Sequence, residues 1–232
     1  GWRITWIALG AMILLLAAPL ALGLIRNDPS DIGESQDGDS EPREESNPQV
    51  KLPVNVSPLE TRRWRASYAT SPIWQMTCAY FVCGITTAII SLHYVPFAID
   101  RGVSPTTAAL AFGMMSGLNV VGVIAIGLIS DWLDRKYLLG AIYVVRGLAY
   151  AMLILAPGAL GIWGFAIIAG FSWVASTPLT SALIADIYGL RNLGTLNGIT
   201  TFAHQTGGAL SIFMGGLLYD ATGSYDVPFA IA

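Results

Sequence analysis

The chain has 232 residues, 54% apolar and only 12% charged, with a formal net charge of −3. That balance excludes a water-soluble globule and points to a protein solvated by lipid. No GxxxxGK[ST], GxSxG or HExxH signature and no paired carboxylates at catalytic spacing occur, so neither a nucleotide-driven pump nor an enzyme is indicated, nor a cofactor, a metal site or a nucleic-acid partner.

Lys, Arg, Asp and Glu are absent from 4–25, 66–99, 102–130, 147–185 and 192–219, and each gap can hold a spanning helix of about 20 residues. The first predicted span is 4–25. The chain opens without methionine and stops in what reads as a further apolar segment, so both ends are expected to be cut. A secretory signal peptide is the alternative for the first stretch, with Arg3 before the apolar run and Ala17-Ala18 as small residues; the length of the run argues against it.

A 47-residue polar linker follows, 26–72, with six basic and nine acidic residues. Its 31–47 portion is too poor in apolar residues to fold alone and is expected to be disordered. Ser57-Pro58-Leu59-Glu60 combines an N-cap, a first-turn proline and a glutamate at the third position, predicting a short helix that carries Arg62, Arg63, Trp64 and Arg65. Two readings of that basic cluster stand equal: an anchor in the headgroup layer, or a solvated turn without lipid contact.

Further spans are predicted at 73–98, 108–129, 137–156, 159–184 and 195–218, with another starting at 227; Pro157-Gly158 separates the fourth from the fifth. The expected fold class is therefore all-α and multi-pass, with six spans and the beginning of a seventh. Alternating crossings place the 26–72, 130–136 and 185–194 loops on one side with nine Lys or Arg, against Arg3 and Arg101 on the other, so the linker is expected to be cytoplasmic. Cys78 and Cys83, five apart, face different sides of a helix and are expected to serve as small apolar residues.

Two patterns recur inside the spans. Gly113, Gly117, Gly122 and Gly127, then Gly194, Gly198, Gly207, Gly208, Gly215 and Gly216, would let helix backbones approach closely. Tyr80, Gly84, Thr87, Ser91 and Tyr94, and likewise Asn197, Thr201, His204, Gly208 and Ser211, fall at spacings 4, 3, 4, 3, which holds each set on one helix face. Such faces in a bilayer either line an aqueous cavity or hydrogen-bond to neighbouring helices, and both readings remain open.

Arg146 lies ten residues into its span, about 15 Å deep at ~1.5 Å per residue, near the midplane. No Asp or Glu is comparably deep. Its partner is a backbone carbonyl, a carboxylate elsewhere in the protein, or an anionic solute. His204, beside Gln205, either binds a ligand or is satisfied by a neighbouring helix; His93 is expected at the interface, and Ser116 and Asn119 are the polar groups deep in the third span. A cationic or titratable interior of Arg146, His93 and His204 favours anions over cations as cargo.

The run Gly127-Leu128-Ile129-Ser130-Asp131-Trp132-Leu133-Asp134-Arg135-Lys136 resembles the GxLxDRxGRK loop signature of the major facilitator superfamily. Gly127, Asp131, Arg135 and Lys136 match, while Trp132 replaces the usual Arg and Asp134 the usual Gly. The stretches 93–110, 185–210 and 215–225 resemble the branch containing monocarboxylate and oxalate/formate transporters. The resemblance implies that 4–25 corresponds to helix 6 of twelve, the linker to the central cytoplasmic loop, and 73–232 to a C-terminal bundle of helices 7 to 11 with the start of 12. It further implies a peripheral helix carrying Arg146, and an Asp131 that pairs with a helix N-terminus of the other half. Some carboxylate transporters of the branch carry an Arg where Val123 stands, which leaves carboxylate specificity without that support.

The expected function is alternating-access transport of a small solute, an organic anion such as a monocarboxylate, in the plasma or inner membrane, with the N-terminal half of the same protein as partner. The candidate cavity residues are Tyr80, Thr87 and Tyr94; Asn119; Ser176 and Thr180; and Asn197, Thr201 and His204. A membrane-embedded scaffold or sensor, with polar stripes as interhelical glue, is the alternative.

Overall fold

The computed structural model describes residues 2–25 and 57–231. The 31–47 stretch expected to be disordered lies outside the described residues. Two compact units, 1–54 and 55–232, are taken separately.

In the first unit α1 (Trp2–Met12) passes through a π-helical turn at Ile13–Ala17 into α2 (Ala18–Leu24). Pro19 explains the interruption: it has no N–H for the carbonyl four residues back, and a wider turn before it accommodates the ring. The 22 residues Arg3–Leu24 include an 18-residue window of mean hydropathy 2.5, none of whose residues is buried. A helix apolar all round, with Ile4, Leu14 and Leu22 among its side chains, suits a hydrocarbon solvent.

The second unit comprises α3 (Trp64–Ser67), α4 (Ser71–Asp100), α5 (Pro105–Ser130), α6 (Arg135–Leu155), α7 (Gly158–Gly170), α8 (Ser176–Tyr188), α9 (Leu193–Thr222) and α10 (Asp226–Ile231). No strand occurs among the described residues. Arg3–Leu24, α4, α5 and α6 are long and apolar enough to cross a membrane. At 30 residues α9 also has the length, but its polar positions lower its hydropathy below theirs. The protein is an all-α, multi-pass, membrane-embedded fold.

The helix starts and stops follow local chemistry. Ser104 Oγ accepts the N–H of Thr107 (3.2 Å) ahead of Pro105, which opens α5. Gly223, left-handed at φ 70°, ends α9. The predicted helix at Ser57 is instead a turn: the Leu59 N–H donates to the Ile187 carbonyl (2.9 Å) and Ser57 Oγ to that of Ala185 (3.3 Å), so this segment is tied to the end of α8 and the helix starts only at Trp64.

The most extensive helix pair is α4 with α9. A Cβ on Gly84 would overlap the His204 carbonyl oxygen, one on Gly207 the carbonyl of Phe81, and one on Gly215 would sit 2.9 Å from His93 Nε2. From Thr87 beside His204, through Ala88 beside Gly208, to His93 beside Ile212 and Gly215, the numbers rise together on both helices, so the pair runs parallel. That direction follows if α7 and α8 form one broken crossing, making α4 and α9 the first and fifth of alternating passes. The glycine row of α5 behaves differently: only Gly122 is pressed against another backbone, that of Phe171, while Gly113, Gly117 and Gly127 face open space.

The single helix predicted over 159–184 is broken. Helix α7 ends at Gly170 and α8 begins at Ser176, with a turn between. Pro178, in the first turn of α8, cannot donate to a preceding carbonyl and clashes with a continuous helix. Two other expectations also change. Cys78 is exposed, whereas Cys83 is buried and hydrogen-bonded. His93 is buried against α9, its Nε2 3.1 Å from the Ile212 carbonyl oxygen.

Candidate functional site

Three helices converge on the 171–175 break. Arg146, on α6 and 4% exposed, sends its guanidinium across the bundle. Nη2 donates to the carbonyls of Ser172 and Trp173, each at 2.7 Å, and Nη1 donates to Cys83 Sγ at 2.9 Å. The carbonyl alternative for the arginine's partner is therefore the observed one. The break leaves main-chain acceptors that no helix satisfies, and in a low-dielectric interior a charged donor fills them strongly. From α5, Asn119 Oδ1 accepts the N–H of Val174 (3.0 Å), satisfying the other polarity of the same break.

With the break fixed, Ser176 and Thr177 turn toward α4 and α9. Tyr80 O–H donates to Thr177 Oγ1 (3.1 Å), and Ser176 Oγ lies 3.2 Å from Cys83 Sγ. Across from them, Thr87 Oγ1 is 3.3 Å from His204 Nε2 and also donates to the Cys83 carbonyl. His204 Nδ1 faces Gln205 Oε1 at 3.1 Å. Between these groups is a pocket of about 160 Å³, walled by Cys83, Thr87 and Ser91 of α4, by Trp173 and Val174 of the break, by Ser176 and Thr177 of α8, and by His204 of α9. Every described carboxylate is exposed and stands in a turn or within about a turn of a helix end.

Of the nine cavity candidates, Thr87, Ser176 and His204 line this pocket and Tyr80 flanks it through the His204 ring. Five lie elsewhere. Tyr94 is fully buried in the apolar core, its O–H on the Ile162 carbonyl (2.7 Å) and its ring against Phe112 and Phe165. Thr180 is buried on α8 and bonds back to the Ser176 carbonyl (2.8 Å). Asn119 supports the break, Asn197 accepts from Ser181 Oγ (3.0 Å), and Thr201 is exposed on α9. Cys83, Trp173, Val174 and Thr177 were not anticipated. Gly170 and Pro178 bracket the break and were its readable signal.

A larger groove of about 500 Å³ lies between α4, α6 and α10, lined chiefly by apolar groups such as Val82, Gly147, Ile154 and Phe229, with Arg146 on its wall. It holds none of the nine candidates. At the ends of the bundle, Arg135 pairs with Asp186, and Arg101 with Asp226 at 2.7 Å. Asp131 is exposed and makes no ion pair among the described residues, and Lys136 lies 5.4 Å from the Tyr137 ring centroid.

The model of the Major Facilitator Superfamily matches residues 1–231. The chain belongs to that family. Among curated proteins it is 29% identical over 237 residues to "Uncharacterized MFS-type transporter YcxA" of Bacillus subtilis (strain 168), covering 97% of this chain and 52% of the relative. It is 26% identical over 253 residues to "Monocarboxylate transporter 12" of Rattus norvegicus, covering 99% and 50%, and 25% identical over 163 residues to "Monocarboxylate transporter 13" of the same species, covering 69% and 38%. The chain thus spans about half the length of the first two relatives, and the superfamily match extends over both units described above.

Proposed function

We propose that this chain is the C-terminal half of an alternating-access transporter for a small organic anion such as a monocarboxylate, resident in the plasma or inner membrane and paired with an N-terminal half of the same protein. The observation that carries the reading is the pocket. It gathers hydroxyl, thiol and imidazole groups from α4, α8 and α9 beside the helix break, has no carboxylate, and has the buried Arg146 cation directly behind it. At ~30 Å³ per water its volume amounts to about five waters, the scale of a small carboxylic acid. Hydroxyl and imidazole donors suit a carboxylate, and a positive charge in a low dielectric disfavours cations. The names of the two rat relatives point the same way for those proteins.

In this reading Thr87, Ser176 and His204 contact the solute, with Tyr80 setting the imidazole plane. Tyr94, Asn119 and Asn197 tie the surrounding elements together, and Thr180 and Thr201 take no part in the site. The 26–72 linker is cytoplasmic. Gly127, Asp131, Arg135 and Lys136 form a loop that changes partners between the two access states, with Arg135 on Asp186 in the state described here.

The test is uptake of labelled lactate, pyruvate and formate by the full-length protein in proteoliposomes, with His204→Ala and Asn119→Ala alongside wild type. Saturable uptake that weakens in His204→Ala supports the pocket, and uptake unchanged in both variants removes it. The interhelical hydrogen bonds of Tyr94 to Ile162 and of Ser181 to Asn197 favour a second reading, a scaffold or sensor with interhelical glue, and no flux of any probe would leave that one standing.

A further inference from the structure

Arg146 does not line the small pocket, yet Cys83, Trp173 and Ser176, all of which it touches, do. The guanidinium straddles two elements that have no covalent reason to keep station. On one side are the carbonyls of the α7–α8 break, and on the other the thiol of α4, with Thr86 Oγ1 at 3.4 Å. Its ring neighbour Tyr143, 5.8 Å from the guanidinium carbon, packs on the same α6 face. No carboxylate competes for it among the described residues.

Resting on the solute-pocket reading, we infer that Arg146 is a positioning residue: it holds the broken crossing at a fixed distance from α4 and thereby sets the width of the pocket, without touching its contents. Only a planar fork with several donors bridges both carbonyls and the sulfur at once. A lysine ammonium keeps the charge but is a point donor on a flexible stem. Asn119 holds only the amide polarity of the break from the far side and cannot substitute, because the carbonyls stay unpaired without the guanidinium.

The variants Arg146→Lys and Arg146→Met, made in the full-length protein, separate this role from bulk stabilisation. Hydrogen exchange in detergent reads the clamp without any solute. Both variants raise exchange across residues 171–177 by about tenfold or more, a local opening, while α5 and the α4–α9 seam keep wild-type rates. Exchange that is unchanged at 171–177, or raised evenly throughout the bundle, overturns the assignment. In lactate uptake Arg146→Lys raises KM about tenfold with Vmax within about twofold of wild type, because pocket geometry changes and the conformational cycle does not. A lowered Vmax at constant KM overturns it. Wild-type protein that takes up none of the probes sinks the solute reading alone; localised exchange in the variants then still supports the clamp.

Discussion

The rings of Tyr80 and His204 lie with centroids 4.5 Å apart, one from α4 and one from α9. The contact forms because Gly84 and Gly207 bring the two backbones together on either side of it. In lipid no hydrophobic drive pulls helices together, so such an approach rests on van der Waals packing and hydrogen bonds. The imidazole sits where small residues allow it, with one ring nitrogen toward Thr87 and the other toward Gln205.

Replacing His204 by phenylalanine keeps the ring packing on Tyr80 and removes both nitrogens. The loss of polar contact to a bound solute costs about 1–3 kcal/mol, a rise in KM of roughly tenfold or more, with little change in thermal midpoint. A midpoint that falls as far as uptake does would show a fold defect instead.

Gly84 and Gly113 make a matched pair on neighbouring helices. A methyl group on Gly84 meets the His204 backbone, which cannot yield as a side-chain tip can; on Gly113 it meets nothing within 4 Å. Gly84→Ala is expected to destabilise by about 1–3 kcal/mol through overpacking, whereas Gly113→Ala is neutral or gains up to ~1 kcal/mol from helix propensity. Thermal midpoints from fluorescence-detected gel filtration decide it, and equal shifts for the two variants would contradict the packing described.

Asn119→Ala removes the acceptor for the Val174 N–H while leaving Arg146 on the carbonyls. An amide N–H left without its cap costs about 1–2 kcal/mol. Exchange at Val174 should rise more than at the other residues of the break. Protection of Val174 that persists in the variant would mean that a different group holds that amide.

The spans were legible because stretches free of charge over 20 or more residues leave a bilayer as the cheapest environment. The stripes pointed to Thr87 and His204, whereas Ser176 stands on neither stripe. Tyr94 shares the α4 stripe yet lies in the core. A strict 3.5-residue spacing drifts by about 20° per heptad on an ideal helix, and Tyr94 is two heptads beyond Tyr80, which turns it toward α7. The break left only a flanking signal, Gly170 and Pro178, because Phe171 to Ala175 contain neither Gly nor Pro, and its unpaired groups are filled by Arg146 and Asn119 from other helices. The misplaced helix start at Ser57 has a related origin: the Ser57 hydroxyl, expected to accept a first-turn N–H, and the Leu59 N–H itself both donate to carbonyls at the end of α8.

The Arg135–Asp186 pair joins the start of α6 to the end of α8 with side chains 31% and 46% exposed. Solvent screens a pair this open, so removing it costs roughly 0–1 kcal/mol of stability. If the loop exchanges partners during the cycle, the pair matters for rate and not for folding. Arg135→Ala is therefore expected to lower lactate Vmax severalfold while the thermal midpoint stays near wild type, and the swapped variant Arg135→Asp with Asp186→Arg to recover part of the rate. A double swap no better than either single change would show that each residue acts on its own, and the pair would then have no part in the transition between access states.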